Sequence, residues 1–311
     1  MTNKPSDISA TNRSSRRRVG LYLLSRMPLS IHHAIADILL YPLIYYVARY
    51  RRKIVEKNLR LSFPDKSPQE RKQIERRFYH QFADLFVESI YGYGMSDAEM
   101  RERMVYPNDQ VLADACMNHG GAITMLAHLG TWEWVADFGR RHQAEGIQEC
   151  NVYRRLKNKF FDRLMLDIRS RRGGECVEKD LLLRRMVQLR SSNLKPMYGM
   201  LSDQKPSPRN AHVWTTFLHQ ETAFLDGSEV LSKRFGYPCL YGYIRSPKRG
   251  YYTMTFIPIQ EHDGLSITEQ YSRLLEQNIR EQPHLWLWTH NRWKYPRINQ
   301  PSLADTTTHA L

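Results

Sequence analysis

The chain has 311 residues, 41% apolar and 25% charged, and its 46 Lys and Arg outnumber 32 Asp and Glu to give a formal net charge of +14. That length and composition are ordinary for a folded protein with a sizeable core, either one large α/β domain or two smaller ones. The charge excess favours an anionic partner, whether nucleic acid, a phospholipid surface, a phosphorylated substrate or an acidic protein.

Residues 1–15 are polar and rich in Ser, Thr and Asn, which predicts a disordered tail, with Arg16, Arg17 and Arg18 extending it to 18. Residues 19–48 are mostly apolar. The tract starts like a signal peptide but lacks a small-residue cleavage site, so it is expected to be retained. Arg26, His32, His33, Asp37 and Pro42 interrupt it, and its most apolar part, 38–48, is too short to cross a bilayer. Arg49, Arg51, Arg52 and Lys53 follow at once. The pattern suits an anchoring segment over 19–60 that is partly inserted at an anionic cytoplasmic leaflet; the bland alternative is a buried amphipathic helix.

Helix continues over 54–61 and breaks at Phe63-Pro64. Ser67 then caps a helix through about residue 91, with Pro68 at its first position and Gly92 past its end. Short helices are expected at 96–104 and 110–118. Gly120 and Gly121 lead into a buried strand at 122–127, Gly130 allows a sharp turn, and Thr131 is a plausible cap for a helix from Trp132. Strands follow at 149–153, which buries Cys150, and at 196–201, with helices after the first (to about 171) and at 186–190. Residues 213–218 read as a strand or extended loop, 228–235 as a helix, and 239–245 with 251–259 as a hairpin around a basic turn. A helix at 266–281, a last strand at 285–288 and a frayed end from about 300 complete the chain. The fold class is therefore α/β, a mixed, mostly parallel sheet flanked by helices, with the main globular domain over 61–300. Cys116, Cys150, Cys176 and Cys239 lie far apart and read as free thiols in a reducing compartment.

Three strands deliver polar residues to one sheet edge, where open α/β sheets gather ligands: His128, Arg154, and Ser202-Asp203-Gln204. On a continuous helix, His128 and Glu133 would sit about 140° apart. They meet only if the backbone changes character between them, and the strand–turn–helix expected here supplies that change. A histidine held by a carboxylate is a good general base near neutral pH. No nucleophile elbow, Walker loop, Gly-x-Gly-x-x-Gly or His-Glu-x-x-His is present, so the base would activate the substrate's own hydroxyl, and nothing argues for a cofactor or a metal. Arginines and lysines would hold phosphate or carboxylate groups; for Arg154 or Arg292 alone, a surface ion pair is an equal alternative.

Ala127-His128-Leu-Gly-Thr-Trp-Glu133 resembles the His-x4-Asp/Glu motif of the bacterial lipid A late acyltransferases, within the lysophospholipid acyltransferase superfamily. Asn58-Leu-Arg-Leu-Ser-Phe63-Pro64 is similar to the family's Asn-Leu-x3-Phe-Pro block. Tyr153-Arg154 resembles its Tyr-Arg-Pro, with Arg155 in place of proline. Asp203-Gln204 matches its Asp-Gln block, and His290-Asn-Arg292-Trp293-Lys294 its terminal basic signature. The resemblance implies an enzyme on the cytoplasmic face of the inner membrane that moves an acyl chain from acyl carrier protein, or less often coenzyme A, to a hydroxyl of a phosphorylated lipid A precursor. It implies His128 as general base and Glu133 as its orienting partner, with Arg154, Asp203, Gln204, Arg292 and Lys294 on the substrate side and no covalent acyl-enzyme. Lys205-Pro206-Ser207-Pro208 and Thr216-Phe217-Leu218-His219 depart from the family pattern, which leaves other acceptors such as glycolipids, ornithine lipids or mannosylated phosphatidylinositol open. A rival from another class is a non-enzymatic binder of anionic lipid or nucleic acid. It lacks a recognition helix or RNA-binding aromatic motif, so no nucleic-acid partner is expected. A metal hydrolase built on His128 and Glu133 lacks a third ligand.

Overall fold

Hydrophobic runs short enough for strands and separated by helical stretches pair side by side when helices cover both faces. The computed structural model, which describes residues 19–171, 173–261, 264–295 and 297, has this arrangement. The expected tail at 1–18 and the frayed end at 301–311 lie outside the described residues.

The N-terminal tract is bent. Helix α1 (Val19–Ser25) meets the helical stretch Leu29–Val47 at 98°. Pro28 disfavours helix at the residue before it, and α2 (Leu29–Ile35) starts directly after. Two π-helical turns, Ala36–Leu40 and Leu43–Val47, prolong α2. Helix α3 (Arg52–Ser62) leads to α4 (Pro68–Gly94), which opens on the expected cap: Ser67 accepts from the Glu70 amide, and Glu70 accepts in return from the Ser67 amide. Gly92 does not end this helix. A Cβ there would lie 2.6 Å from Trp134 Nε1, and one at Gly94 would lie 2.3 Å from Ser25 Oγ, so both glycines permit close packing inside it.

Next come α5 (Asp97–Arg103), β1 (Met104–Val105), α6 (Asp109–His119) and β2 (Ala122–Leu126). Then follow α7 (Phe138–Arg141), β3 (Ile147–Tyr153), α8 (Lys159–Ser170), β4 (Glu175–Glu178), α9 (Leu182–Arg190) and β5 (Lys195–Leu201). The last part holds β6 (Val213–Phe217), β7 (Gln220–Phe224), α10 (Gly227–Phe235), β8 (Cys239–Lys248), β9 (Tyr251–Ile259) and α11 (Ile267–Glu281). The main sheet runs β1-β9-β8-β2-β5-β3-β4, and β6 and β7 form a separate hairpin. Five strands, β8, β2, β5, β3 and β4, are parallel; β9 is antiparallel to β8, and β1 is parallel to β9. Every residue of β2, near the centre, is buried, as a strand covered on both faces requires.

Strands β1, β4 and β7 were not anticipated: each is short or too polar for a periodic signal. The strand expected at 285–288 is instead a 3-10 turn (Pro283–Leu285) followed by one antiparallel bridge, Leu129 to Trp286. The helix expected from Trp132 is 3-10 over Trp132–Asp137, and the Thr131 side chain does not cap it. The Thr131 hydroxyl donates to the Glu88 carboxylate of α4 instead. The four cysteines are unpaired, and Cys150 is buried in β3.

Candidate active site

The pairing of β2 with β5 sets the geometry. Leu126 stands opposite Leu201, so His128 and Asp203 each leave the sheet two residues past a paired position. Neighbouring strands lie about 4.8 Å apart, which brings the two side chains within reach. His128 Nδ1 is 2.7 Å from Asp203 Oδ1. A carboxylate can only accept, so Nδ1 carries the proton and Nε2 keeps its lone pair as an acceptor. The amide of Gln204 donates to that Nε2 at 3.2 Å. Asp203 Oδ2 accepts from the His128 backbone amide at 3.0 Å and from Trp286 Nε1 at 2.9 Å. Burial opposes the charge of Asp203, but the His128 ring and these two further donors prevail and hold its pKa at about 2.

The backbone around His128 is stitched to the segment after α11. Gly130 N donates to Leu285 O at 3.0 Å, and Leu287 N donates to His128 O at 3.1 Å. Gly130 has φ +54°, and a Cβ there would lie 2.6 Å from the Tyr252 ring, so only glycine makes this turn. Asn58 of α3 donates to the carbonyls of Trp288 and His290 at 3.0 and 3.1 Å. Asn58, His128, Asp203 and His290, far apart in sequence, thus brace one another. His290 Nε2 accepts from the Lys205 amide at 3.3 Å, and burial pushes its pKa down to about 4.

Glu133 does not touch the His128 ring. Its carboxylate takes a bidentate pair from Arg169 of α8, at 2.6 and 2.7 Å, and a bond from Trp132 Nε1 at 3.1 Å. The 3-10 path of Trp132–Asp137 aims it at α8. The carboxylate that orients the imidazole is therefore Asp203, not the Glu133 that spacing suggested. Glu133 reaches the His128 ring at one remove: Trp132, which it holds, packs edge-on to that ring, centroids 4.8 Å apart.

Arg154 is exposed at the end of β3. Continuing the register of Asn151 opposite Gly199 sets it level with Ser202, on the same edge as His128. It has no hydrogen bond or ion pair to a described residue. Arg292 is turned inward: it is 3% exposed, donates to Ala223 O of β7 and covers the Phe224 ring at 4.7 Å. Burial pushes its pKa down to about 10. Lys294 is exposed, 5.2 Å from the Tyr295 ring centroid, and has no carboxylate partner among the described residues. The structure thus brings together His128, Asp203 and Gln204, sets Arg154 on their edge, buries Arg292 within electrostatic reach of Asp203, and leaves Lys294 exposed. Trp286, Trp132 and Arg169 escaped sequence reasoning, because no spacing rule links them to His128.

Three strand ends presenting a braced imidazole and an unpaired arginine suit proton abstraction from a hydroxyl near an anionic group. The model of the bacterial lipid A biosynthesis acyltransferase family matches residues 18–295. The lipid A biosynthesis lauroyltransferase of Escherichia coli strain K12 is 24% identical over 281 residues, covering 84% of this chain and 89% of that protein. The chain belongs to the bacterial lipid A biosynthesis acyltransferase family and is an acyltransferase.

Proposed function

We propose that this enzyme moves a fatty acyl chain from a thioester donor, acyl carrier protein or acyl-coenzyme A, to a hydroxyl of a phosphorylated lipid A precursor. The observation that carries this reading is the His128–Asp203 pair, with Nδ1 held at 2.7 Å and Nε2 facing the edge shared by Gln204 and Arg154. Nε2 takes the proton of the acceptor hydroxyl as its oxygen attacks the thioester carbonyl, and Asp203 stabilises the imidazolium. The tetrahedral oxyanion collapses, the carbon–sulfur bond breaks, and the thiolate leaves with the proton from the imidazolium. No covalent acyl-enzyme forms. Arg154 offers its charge to the oxyanion or an acceptor phosphate. Glu133 keeps Trp132 against the base, and Lys294 adds to the basic surface.

Among the described residues no single helix is long and apolar enough to cross a membrane. We assign residues 19–60 to attachment at the cytoplasmic face of the inner membrane, lying along it. Leu23, Leu39 and Val47 are exposed there, and Ile38 is 79% exposed. Of the basic run behind them, Arg51 donates to Thr289 O and Arg52 pairs with Glu56 and Glu75, so Arg49 and Lys53 carry the attraction to anionic lipid.

The test incubates purified protein with acyl carrier protein or coenzyme A thioesters and, separately, a lipid A precursor, a glycolipid or an ornithine lipid, with mass spectrometry of the products. One added acyl chain on the lipid A precursor, absent with His128→Ala, is expected. Transfer to another lipid alone would replace the acceptor in this reading.

A further inference from the structure

Past the end of β8, which runs parallel to β2 and leaves the sheet on the same side as His128, one face of α4 carries Arg77, His80, Gln81 and Asp84, at the three- and four-residue spacings that align side chains on a helix. Lys248 and Arg249, at the turn between β8 and β9, and His284, in the 3-10 turn after α11, stand opposite. Between them lies a cleft of about 360 Å³.

Its charges do not cancel. Arg249 is fully engaged, gripping Asp84 at 2.5 and 2.8 Å and Asp37 at 2.7 and 2.8 Å. Asp84 is the one carboxylate among the residues lining the cleft, and Arg249 holds it together with Asp37, so the three groups sum to one negative charge against the two cations Arg77 and Lys248. Arg77 has no hydrogen bond or ion pair to a described residue. Lys248 Nζ rests 3.8 Å from the Tyr251 ring centroid and has no carboxylate partner among the described residues. His284 makes no side-chain hydrogen bond to a described residue, and burial, with Arg77 nearby, favours its neutral form. Arg77, Lys248 and His284, none with a carboxylate partner among the described residues, thus line a volume that suits a polar head group rather than an acyl chain.

The cleft also has a place on the molecule. Asp37, bound to Arg249, directly precedes Ile38 and Leu39, which are exposed. The cationic pocket therefore opens at the rim of the exposed apolar stripe.

We propose that this cleft is a phosphate-binding site on the His128 side of the sheet, past the end of β8, in which Arg77 and Lys248 give charge-assisted bonds to the phosphate oxygens and His284 gives a third contact. The ligand chemistry is a phosphate ion or a phosphate ester. The same group is available from solution or from a phospholipid at the apolar rim.

The test titrates the full-length protein with inorganic phosphate while following the imidazole resonances of His284, assigned with His284→Asn. Arg77→Glu/Lys248→Glu is compared with Arg184→Glu/Arg234→Glu, the same charge change on exposed positions of α9 and α10. Thermal unfolding checks that both variants fold. A saturable His284 shift is expected in the wild type and the control, with affinity at least about tenfold weaker in the cleft variant. No saturable shift, or equal affinity in both variants, overturns the site. Flotation with phosphatidylcholine vesicles, with and without phosphatidic acid, then separates the sources. Loss of the phosphatidic-acid-dependent binding in the cleft variant alone assigns the site to a lipid phosphate; unchanged flotation beside lost phosphate binding assigns it to phosphate from solution.

Discussion

His128 and Asp203 stand 75 residues apart in the chain and 2.7 Å apart in space, Nδ1 to Oδ1. Asp203 has no spare capacity for another task, since its second oxygen already takes the His128 amide and Trp286. Asp203→Asn presents an amide that can offer N–H to Nδ1 and trap the wrong tautomer. The expected loss in kcat is roughly 10²–10⁴-fold, with KM for either substrate changed little. Steady-state kinetics on the folded variant check this.

Glu133 acts through its neighbours, so Glu133→Gln should lower kcat by less than Asp203→Asn does. Its stability effect is separate. Arg169→Met leaves a buried carboxylate without its cation and should destabilise by on the order of 3 kcal/mol, whereas Glu133→Gln/Arg169→Met should recover much of that loss. Urea midpoints of the three variants measure the coupling.

The central strands were legible because strands buried on both faces are continuous apolar runs, and β2 and β5 fall within a residue or so of the expected bounds. The cap at Ser67 was legible because a hydroxyl and a glutamate three residues on satisfy each other locally. His128, Arg154 and Asp203 were placed on one edge by the rule that parallel strands end together. What sequence could not supply is which carboxylate holds the ring. Spacing favoured Glu133, five residues away, while strand pairing, which depends on register across the sheet, delivers Asp203. For Arg292 the basic signature does not say whether the cation stays exposed; it lies buried, bonded to the Ala223 carbonyl of β7.

Two buried carboxylates should give opposite pH signatures. Glu149 accepts from Gly139 N and Asn151, yet burial raises its pKa to about 7 from an ordinary 4.5. The folded state holds its proton more tightly, so stability is full below about pH 4.5 and falls as pH rises through 7. Glu149→Gln should remove a decline on the order of 2–3 kcal/mol between pH 5 and 8. Asp203 is depressed to about 2 from 3.8, so its contribution is present above pH 3.8 and is lost as pH falls through 2. Chemical denaturation across pH checks the Glu149 arm, and acid unfolding of the Asp203→Asn variant checks the other.

Arg154 is exposed and has no partner among the described residues, so Arg154→Ala should leave stability within about 0.5 kcal/mol of wild type. If it meets an acceptor phosphate, KM for a phosphorylated acceptor should rise about tenfold or more, and KM for its dephosphorylated counterpart should not. Parallel kinetics on the two acceptors read the difference.

The central claim is acyl transfer to lipid A by a base that Asp203 holds, and the most direct measurement is mass spectrometry of lipid A from cells lacking the gene. The account predicts that one secondary acyl chain is missing, that wild-type protein restores it, and that neither His128→Ala nor Asp203→Asn does so when expressed at the same level. Restoration of the chain by the His128→Ala protein, or lipid A of unchanged mass in the deletion strain, would contradict it.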